Sequence, residues 1–144
     1  IFLAPLVRSA FFHLAQIGNA LLSPLPVLWP RWFRECSSDT AFLSFVRREP
    51  LVEKQFPTQW SHAYFRWFAG VQDYEALTVP LLVIQGDRDE SVDWQYNMTF
   101  YKSKFTNVDI NIIKGARHHL PNEGKPFFDQ VMKNIRNQLH YLKP

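Results

Sequence analysis

An aspartate and a histidine occupy matching places in the last third of the chain, each shortly after an apolar run. Asp89 follows the run Val79 to Gln85, and His118 follows the run Val108 to Ile113. If the two runs are neighbouring parallel strands, both side chains lie at the same edge of the sheet. A carboxylate bonded to one imidazole nitrogen fixes the tautomer, so that the other nitrogen can take a proton from a nucleophile. The spacing therefore predicts an acid–base pair that serves nucleophilic catalysis.

Each member of this pair has a rival nearby. Asp87 and Asp93 lie on the same stretch as Asp89, although Asp93 is better explained as the N-cap of the next helix. Asp89 could also be an ordinary turn residue, since Asp side chains often bond their own backbone in turns. His119 competes with His118 for the role of base. On the residues alone these alternatives stay open.

The other reactive side chains give weaker signals. Adjacent histidines such as His118 and His119 are poorly spaced to chelate one metal, because helical metal pairs favour the spacing i, i+4. We therefore predict no metal and no cofactor. The single cysteine, Cys36, has no activating partner in its segment and is predicted to be a free thiol. The remaining histidines lie in predicted helices, where we expect packing or surface roles: His13, His62 and His140.

The order of elements predicts an α/β protein. Strand, helix, strand and helix follow one another from residue 79 onward, and a crossover of this length requires parallel pairing. Residues 8–76 show helical periodicity and no convincing strand, so they are interpreted as a helical insertion. The predicted elements are a strand at 1–4, a helix at 9–22 with Ser9 as its cap, a helix from Asp39 to Arg48, a helix at 58–71, a strand at 79–85, a helix from Asp93 to near Asn107, a strand at 108–113 and a helix at 125–141.

Composition limits the class of protein. A chain of 144 residues with 47% apolar residues is expected to fold around a substantial core. The net charge of +3 is spread without a Lys/Arg block, which argues against nucleic-acid binding. Polar residues and prolines interrupt the apolar stretch Phe11 to Trp29, so we predict no membrane-spanning helix. Contact with a membrane surface is compatible with that stretch but not required by it, and we expect a cytoplasmic location.

Two segments resemble the catalytic motifs of α/β-hydrolases. In residues 79–92 a Pro precedes the strand, a Gly follows it and an acid stands three residues after that Gly, which maps the triad acid onto Asp89. Residues 115–123 are similar to the Gly-Ala-(Arg/Gly)-His motif, which maps the triad base onto His118 and leaves His119 as a variable neighbour. The Leu and the Asn-Glu pair after the histidine are typical of the branch that contains monoacylglycerol lipases, lysophospholipases and serine aminopeptidases.

The resemblance covers the whole chain in order and implies a division into two parts. Residues 1–7 and 77–144 correspond to the carboxyl-terminal half of the hydrolase core, and residues 8–76 correspond to a helical cap. The nucleophile elbow G-x-S-x-G is absent from these residues, and no serine here has flanking glycines after a strand. The resemblance therefore implies a nucleophilic serine upstream, in an amino-terminal half that packs against this chain. We expect the 144 residues alone to be inactive.

The function implied by the resemblance is hydrolysis of carboxylic esters with apolar acyl chains, such as a monoacylglycerol or a lysophospholipid. An aminopeptidase of the same fold is one alternative, and a binding module that has lost catalysis is another. The apolar side chains of the insertion are predicted to line an acyl pocket, with the alternative that they only pack the cap onto the core. The predicted pocket residues are Phe11, Phe12, Leu22, Trp29, Trp32, Phe33 and Trp60.

Overall fold

The fold is described by a computed structural model for residues 1–22, 25–31 and 33–141. The strands in these ranges are β1 (Phe2–Leu3), β2 (Leu28–Pro30), β3 (Gln55–Pro57), β4 (Leu81–Gly86) and β5 (Val108–Ile113). The helices are α1 (Phe12–Leu22), α2 (Thr40–Arg48), α3 (Thr58–Val71), α4 (Trp94–Lys104) and α5 (Lys125–Tyr141), and a 3₁₀ turn spans Leu120–Asn122.

The main sheet has three parallel strands in the order β1-β4-β5. All residues of β4 are buried, as its unbroken apolar run predicts for a strand covered on both faces. β5 is paired with β4 along its full length, from Leu81 opposite Val108 to Gly86 opposite Ile113. Because parallel strands point the same way, the loops that follow β4 and β5 leave the sheet at one edge.

Helices cover both faces of this sheet. On one face the buried cluster includes a residue of α5, and its members are Ala4, Leu82, Ile84, Ile113, Ala116, Leu120 and Val131. On the other face the cluster includes three residues of α4, and its members are Val7, Leu81, Val83, Met98, Phe100 and Tyr101. The central strand is therefore held from both sides, which gives the loops at its carboxyl end a rigid base.

The predicted aspartate caps are present. The carboxylate of Asp39 accepts hydrogen bonds from two amides in the first turn of α2, at 2.8 and 3.0 Å. Asp93 accepts from the amide of Tyr96 at 3.2 Å and so begins α4. That helix ends at Lys104, slightly before the predicted end near Asn107. Because Asp93 caps α4, Asp89 is the acidic residue of the turn that precedes this helix cap.

The prediction that Ser9 caps the first helix is wrong. Helix α1 begins at Phe12, and Phe11 just before it has a φ of 56°, outside the helical region. The amide of Ser9 instead donates to the hydroxyl of Tyr64 at 3.0 Å, and Ser9 forms an isolated antiparallel bridge with Val92. Tertiary contacts of the Ser9 backbone therefore place this residue before the helix, which starts three residues later.

The prediction that residues 8–76 contain no strand is also wrong. β2 and β3 pair as an antiparallel ribbon, with Leu28 opposite Pro57 and Pro30 opposite Gln55. Each strand has only three residues and ends in proline, which removes a ladder donor and hides the strand from periodicity. Within the described part of residues 8–76, the chain thus forms three helices and a short ribbon rather than helices alone.

Gly86 allows the two loops at the carboxyl edge to touch. A Cβ atom at this position would lie 2.3 Å from the carbonyl oxygen of Ala116 and 2.5 Å from that of Arg117. The amide of Arg88 donates to the same Ala116 carbonyl at 3.0 Å. The backbone after β4 therefore lies directly against the backbone after β5, and a side chain between them would separate the loops.

Replacing Gly86 by alanine tests this close approach. We expect Gly86→Ala to lower the free energy of unfolding by about 1–3 kcal/mol, since the new methyl group overlaps two backbone oxygens. Gly18→Ala in α1 and Gly70→Ala in α3 are matched controls, because nothing lies within 4 Å of a Cβ at either position. In the controls, the free energy of unfolding should rise by roughly 0.5–1 kcal/mol, because alanine has a better helix propensity than glycine. Urea unfolding would contradict the argument if Gly86→Ala were as stable as the unsubstituted protein.

Candidate active site

Asp89 and His118 meet at the carboxyl edge of the sheet. Nδ1 of His118 lies 2.8 Å from Oδ2 of Asp89, which is a hydrogen-bond distance. The side chain of Asp89 is 0% exposed, whereas that of His118 is 29% exposed. When Nδ1 carries the proton and donates it to the carboxylate, Nε2 holds the free lone pair. The imidazole thus has one anchored nitrogen and one nitrogen that can take up a proton.

The carboxylate of Asp89 is surrounded by donors. Oδ1 accepts from the amides of Ser91 and Val92, at 2.8 and 3.2 Å. Oδ2 accepts from Nε2 of Gln85 at 2.9 Å in addition to its bond with His118. A buried charge is tolerated when hydrogen bonds replace the lost water, and here both oxygens are satisfied. These bonds fix the plane of the carboxylate toward the imidazole.

The donors also decide the protonation state of Asp89. Burial, the strongest single influence, acts to raise the pKa of this carboxyl. The hydrogen bond and charge of His118, with the hydrogen bonds from Gln85 and the Ser91 amide, together outweigh it and bring the pKa below its ordinary value. Asp89 is therefore a carboxylate anion at neutral pH.

The rival aspartates have other partners. Asp87 accepts from the amide of Gly115 at 2.6 Å and so ties the loop after β4 to the loop after β5. Asp93 caps α4 and lies 3.3 Å from Nε of Arg8. The geometry therefore favours Asp89 over both as the partner of the imidazole.

The rival histidine, His119, has its own surroundings. Its Nδ1 lies 2.8 Å from the side-chain nitrogen of Asn122, and its ring centroid lies 5.1 Å from that of Phe42. Burial lowers the pKa of His119, and charge on His118 lowers it further. The ring of His119 thus packs toward α2, while that of His118 is bonded to Asp89.

The predicted pocket residues separate into different environments. Phe11 is exposed and lines a cavity beside Asp89, with its ring centroid 4.5 Å from the guanidinium carbon of Arg34. Phe12 is buried between α1 and α3, with its ring centroid 4.5 Å from that of Phe68. Phe12 therefore fills the helix interface, as the packing alternative predicts.

The other predicted pocket residues lie further along the insertion. Trp60 stacks between the rings of Phe56 and Tyr64, with centroids 5.4 and 6.0 Å away. The guanidinium carbon of Arg47 lies 4.8 Å from the ring centroid of Phe33. Three further predicted residues have different positions: Leu22 is partly buried at the end of α1, Trp29 is partly exposed in β2, and Trp32 lies outside the described residues.

The cavity beside Asp89 has a volume of about 530 Å³. It lies between the insertion and the loop after β4, with Phe11 and Arg34 on one side and Asp89 and Glu90 on the other. Nη1 of Arg34 donates to the carbonyl oxygen of Glu90 at 2.5 Å, which links the two sides. The space next to Asp89 is therefore bordered by Phe11, which directly precedes α1, and by Arg34, from the segment before α2.

Sequence reasoning missed Gln85 and Arg34. Gln85 could have been noticed, because a polar side chain that closes a buried apolar strand needs a partner there. Arg34 offers no comparable local signal, since it contacts Glu90 across a separation of 56 residues. Gln85 reaches Asp89 within its own strand-loop segment, four residues away, whereas Arg34 belongs to the site only because the fold brings distant segments together.

Two general properties of the described ranges bear on the site. No helix in them is long and apolar enough to cross a membrane. Within the same ranges, no three or more His, Cys, Asp or Glu side chains are grouped so as to hold a metal ion. The cytoplasmic location stays a prediction from the sequence.

The parallel sheet, with Asp89 after one strand and His118 after the next, has the architecture of the α/β-hydrolase class. A family model described as "Serine aminopeptidase, S33" matches residues 1–125. The chain belongs to this family, and the predicted α/β fold class is confirmed. A search of curated proteins finds no match to the sequence.

Solved structures with a similar fold include two lipases. One is a soluble variant of monoglyceride lipase from Saccharomyces cerevisiae in complex with a substrate analog. It has a TM-score of 0.79 at 19% sequence identity, and the match covers 96% of this chain and 54% of the lipase chain. Monoacylglycerol lipase from Paleococcus ferrophilus has a TM-score of 0.68 at 14% identity, over 86% of this chain and 49% of its own. Mouse alpha/beta hydrolase domain-containing protein 10 has a TM-score of 0.54 at 12% identity, and the match covers 92% of this chain and 44% of the mouse protein. The chain thus spans about half the length of these structures or less.

The lowered pKa of Asp89 predicts a pH dependence of folding. Because folding lowers this pKa, the anion stabilises the native state above the ordinary value of 3.8, and this stability is lost as pH falls through the lowered value. The gap in unfolding free energy between the unsubstituted protein and Asp89→Asn should therefore shrink between neutral pH and about pH 2. Asp129→Asn is the control, since Asp129 lies on the surface beside Lys125. A gap that stays constant with pH, measured by urea unfolding, would rule out this role of the anion.

Proposed function

We propose that this chain is part of a serine hydrolase that cleaves carboxylic esters with apolar acyl chains. The observation that carries the proposal is the 2.8 Å contact between Oδ2 of Asp89 and Nδ1 of His118 at the carboxyl edge of the sheet. This edge is where open α/β sheets bind ligands, and the dyad has the two members that assist a hydroxyl nucleophile. The nucleophilic serine, in this proposal, comes from a part of the protein outside these 144 residues.

The proposed mechanism assigns one role to each member of the dyad. Nε2 of His118 takes the proton of the serine hydroxyl as its oxygen attacks the ester carbonyl, and then gives that proton to the leaving alcohol. The acyl-enzyme that results is cleaved by water, with His118 again as base. Asp89 keeps the proton of the imidazole on Nδ1 and stabilises the imidazolium cation. The four donors to the carboxylate support this role because they keep Asp89 ionised.

The proposed division of the chain rests on the order of elements and on the resemblance to the hydrolase fold. Residues 1–7 and 77–144 form the hydrolase core, and residues 8–76 form a cap over the site. The exposed apolar face of α1, with Leu14, Ile17 and Leu21, and the exposed Phe11 just before it support an apolar acyl chain or a lipid surface as the cap's partner. The similarity to a monoglyceride lipase in complex with a substrate analog also supports a small ester as the substrate.

An aminopeptidase is the second candidate, and the description of the family favours it. The same dyad would then assist attack on a peptide carbonyl, and the site would need a group that binds a free amino terminus. A binding module without catalysis is the remaining alternative. It would keep the fold and the Asp89–His118 contact but would carry no reactive serine.

Substitution of the dyad tests the assignment of roles. In the full-length protein, Asp89→Asn should lower kcat for ester hydrolysis by about 10⁴-fold, as loss of the acid does in a well-studied triad. His118→Gln should cause a loss of at least similar size. The controls are the neighbours Asp87→Asn and His119→Gln, which are expected to retain most of the activity. If Asp87→Asn lowered kcat more than Asp89→Asn, or His119→Gln lowered it more than His118→Gln, the dyad would be wrongly assigned.

Acyl-chain preference tests the substrate class. We expect kcat/KM for p-nitrophenyl esters to rise with chain length, by up to about fourfold per methylene that becomes buried. Phe11→Ala should weaken this dependence because Phe11 lines the cavity beside Asp89. Leu51→Ala is a suitable control, since Leu51 is 89% exposed. Faster cleavage of an aminoacyl-anilide than of any ester would favour the aminopeptidase instead.

A fluorophosphonate probe separates an enzyme from a binding module. The probe forms an adduct with an activated serine, so the folded full-length protein should be labelled, and Asp89→Asn should be labelled more slowly. The 144 residues alone should show neither labelling nor turnover. Absence of an adduct on the folded full-length protein would favour the binding module.

A further inference from the structure

Glu123 carries a buried carboxylate that the proposed catalytic steps do not use. It directly follows the 3₁₀ turn Leu120–Asn122, and the residue is only 5% exposed. Burial of a carboxyl group among other protein atoms is unfavourable unless donors surround it. The donors around Glu123 therefore indicate which segments of the chain this carboxylate holds together.

One oxygen of Glu123 closes the loop that carries the imidazole. Oε1 accepts from the amide of Arg117 at 2.5 Å, and Arg117 immediately precedes His118. Inside the closed loop, the amide of Leu120 donates to the carbonyl oxygen of His118 at 3.0 Å. The carboxylate thus joins the two ends of the segment 117–123, with His118 between them.

The other oxygen of Glu123 binds a segment that is distant in sequence. Oε2 accepts from the amide of Ser38 at 2.7 Å and is also bonded to the Ser38 hydroxyl. Ser38 stands just before α2, within the residues that we assign to the cap. The carboxylate therefore bridges the cap and the His118 loop with a single side chain.

Neighbouring bonds reinforce this bridge. The hydroxyl of Ser37 donates to the carbonyl oxygen of Asn122 at 2.6 Å, and Ser37 is buried. The amide of His119 donates to the carbonyl oxygen of Cys36 at 2.7 Å. Residues 36–38 and the loop 117–123 thus form one hydrogen-bonded unit, with the Glu123 carboxylate as its charged centre.

We propose that Glu123 is a positioning residue, which clamps the His118 loop between the Arg117 amide and Ser38 and so makes the placement of the imidazole depend on the cap segment. Without the carboxylate, two amides lose their acceptor and the loop can relax. The 2.8 Å contact of His118 with Asp89 depends on that loop. The effect expected on catalysis rests on the proposed function, whereas the effect on the loop does not.

The main test replaces Glu123 by glutamine in the full-length protein. Glutamine keeps the size and one acceptor oxygen, but its NH₂ group must face one of the two amide donors. We expect kcat to fall roughly 10- to 100-fold with KM little changed, because misplacement of a reacting group lowers the rate on bound substrate. Ser38→Ala removes the hydroxyl, which donates to Glu123 and accepts from the Gly124 amide at 3.3 Å, but it leaves the bond from the Ser38 amide, so its effect on kcat should be smaller. Glu123→Asp keeps the charge and should recover part of the loss.

Thr58→Val provides a control for mere destabilisation. Thr58 is a buried residue in the segment that we assign to the cap. Its hydroxyl donates to the carbonyl oxygen of Leu25 at 2.5 Å, and its side chain makes no hydrogen bond to the His118 loop. Its substitution should lower Tm but leave kcat unchanged at temperatures well below Tm. If Glu123→Gln does not fold, Ser38→Ala and Thr58→Val are compared after matching for Tm. A lower kcat in Ser38→Ala alone supports the proposal, and equal values overturn it.

An NMR measurement makes the proposal independent of activity. The Nδ1 proton of His118, held by Asp89, should give a resolved signal that exchanges slowly with water, and Glu123→Gln should speed its exchange. An inactive full-length protein with this change in exchange would contradict the proposed function but support the positioning role. Unchanged exchange and unchanged kcat, accompanied only by a lower Tm, would mean that Glu123 is structural and would overturn the inference.

Discussion

The parallel pairing of β4 with β5 is the constraint on which the site depends. It brings the loops after the two strands to one edge, but the pairing alone would leave them side by side without contact. Gly86 removes the remaining obstacle, because the carbonyl oxygens of Ala116 and Arg117 occupy the space of its missing Cβ. Direct backbone contact between the loops then sets the distance at which Asp89 and His118 meet. A side chain at position 86 would act on the dyad without touching either member.

Two buried carboxylates stabilise this edge in different ways. Asp89 is held by three donors, from Gln85, Ser91 and Val92, and directs its fourth hydrogen bond at the imidazole of His118. Glu123 is held by Arg117 and Ser38 and directs its interactions at the backbone around the imidazole. Both are tolerable in a buried place because their oxygens are satisfied, and removal of a single partner leaves a desolvated group unpaired. The edge is therefore a polar network in which each bond depends on the others.

The segment between β1 and β4 joins this network through residues that periodicity does not reveal. Arg34 reaches Glu90, and Ser37 and Ser38 reach the loop after β5. Its helices bury some aromatic rings, as Phe12 shows, and leave an apolar face of α1 exposed. The apolar side chains of this segment thus have two roles. Some fix the segment to the core, and others remain exposed and available to an apolar partner. Only the direction of each side chain separates the two uses.

Sequence by itself determined what depends on neighbouring residues. The unbroken apolar run predicted the buried strand β4, and Asp39 and Asp93 predicted the starts of α2 and α4, because caps and periodicity are local properties. The choice of Asp89 over Asp87 came from resemblance to a known motif, since the residues alone left it open. Tertiary structure decided the rest: the ribbon of β2 and β3, the use of Ser9 in a bridge, and the donors to both buried carboxylates. These contacts join segments up to 85 residues apart, and their energies depend on distances that only the folded chain sets.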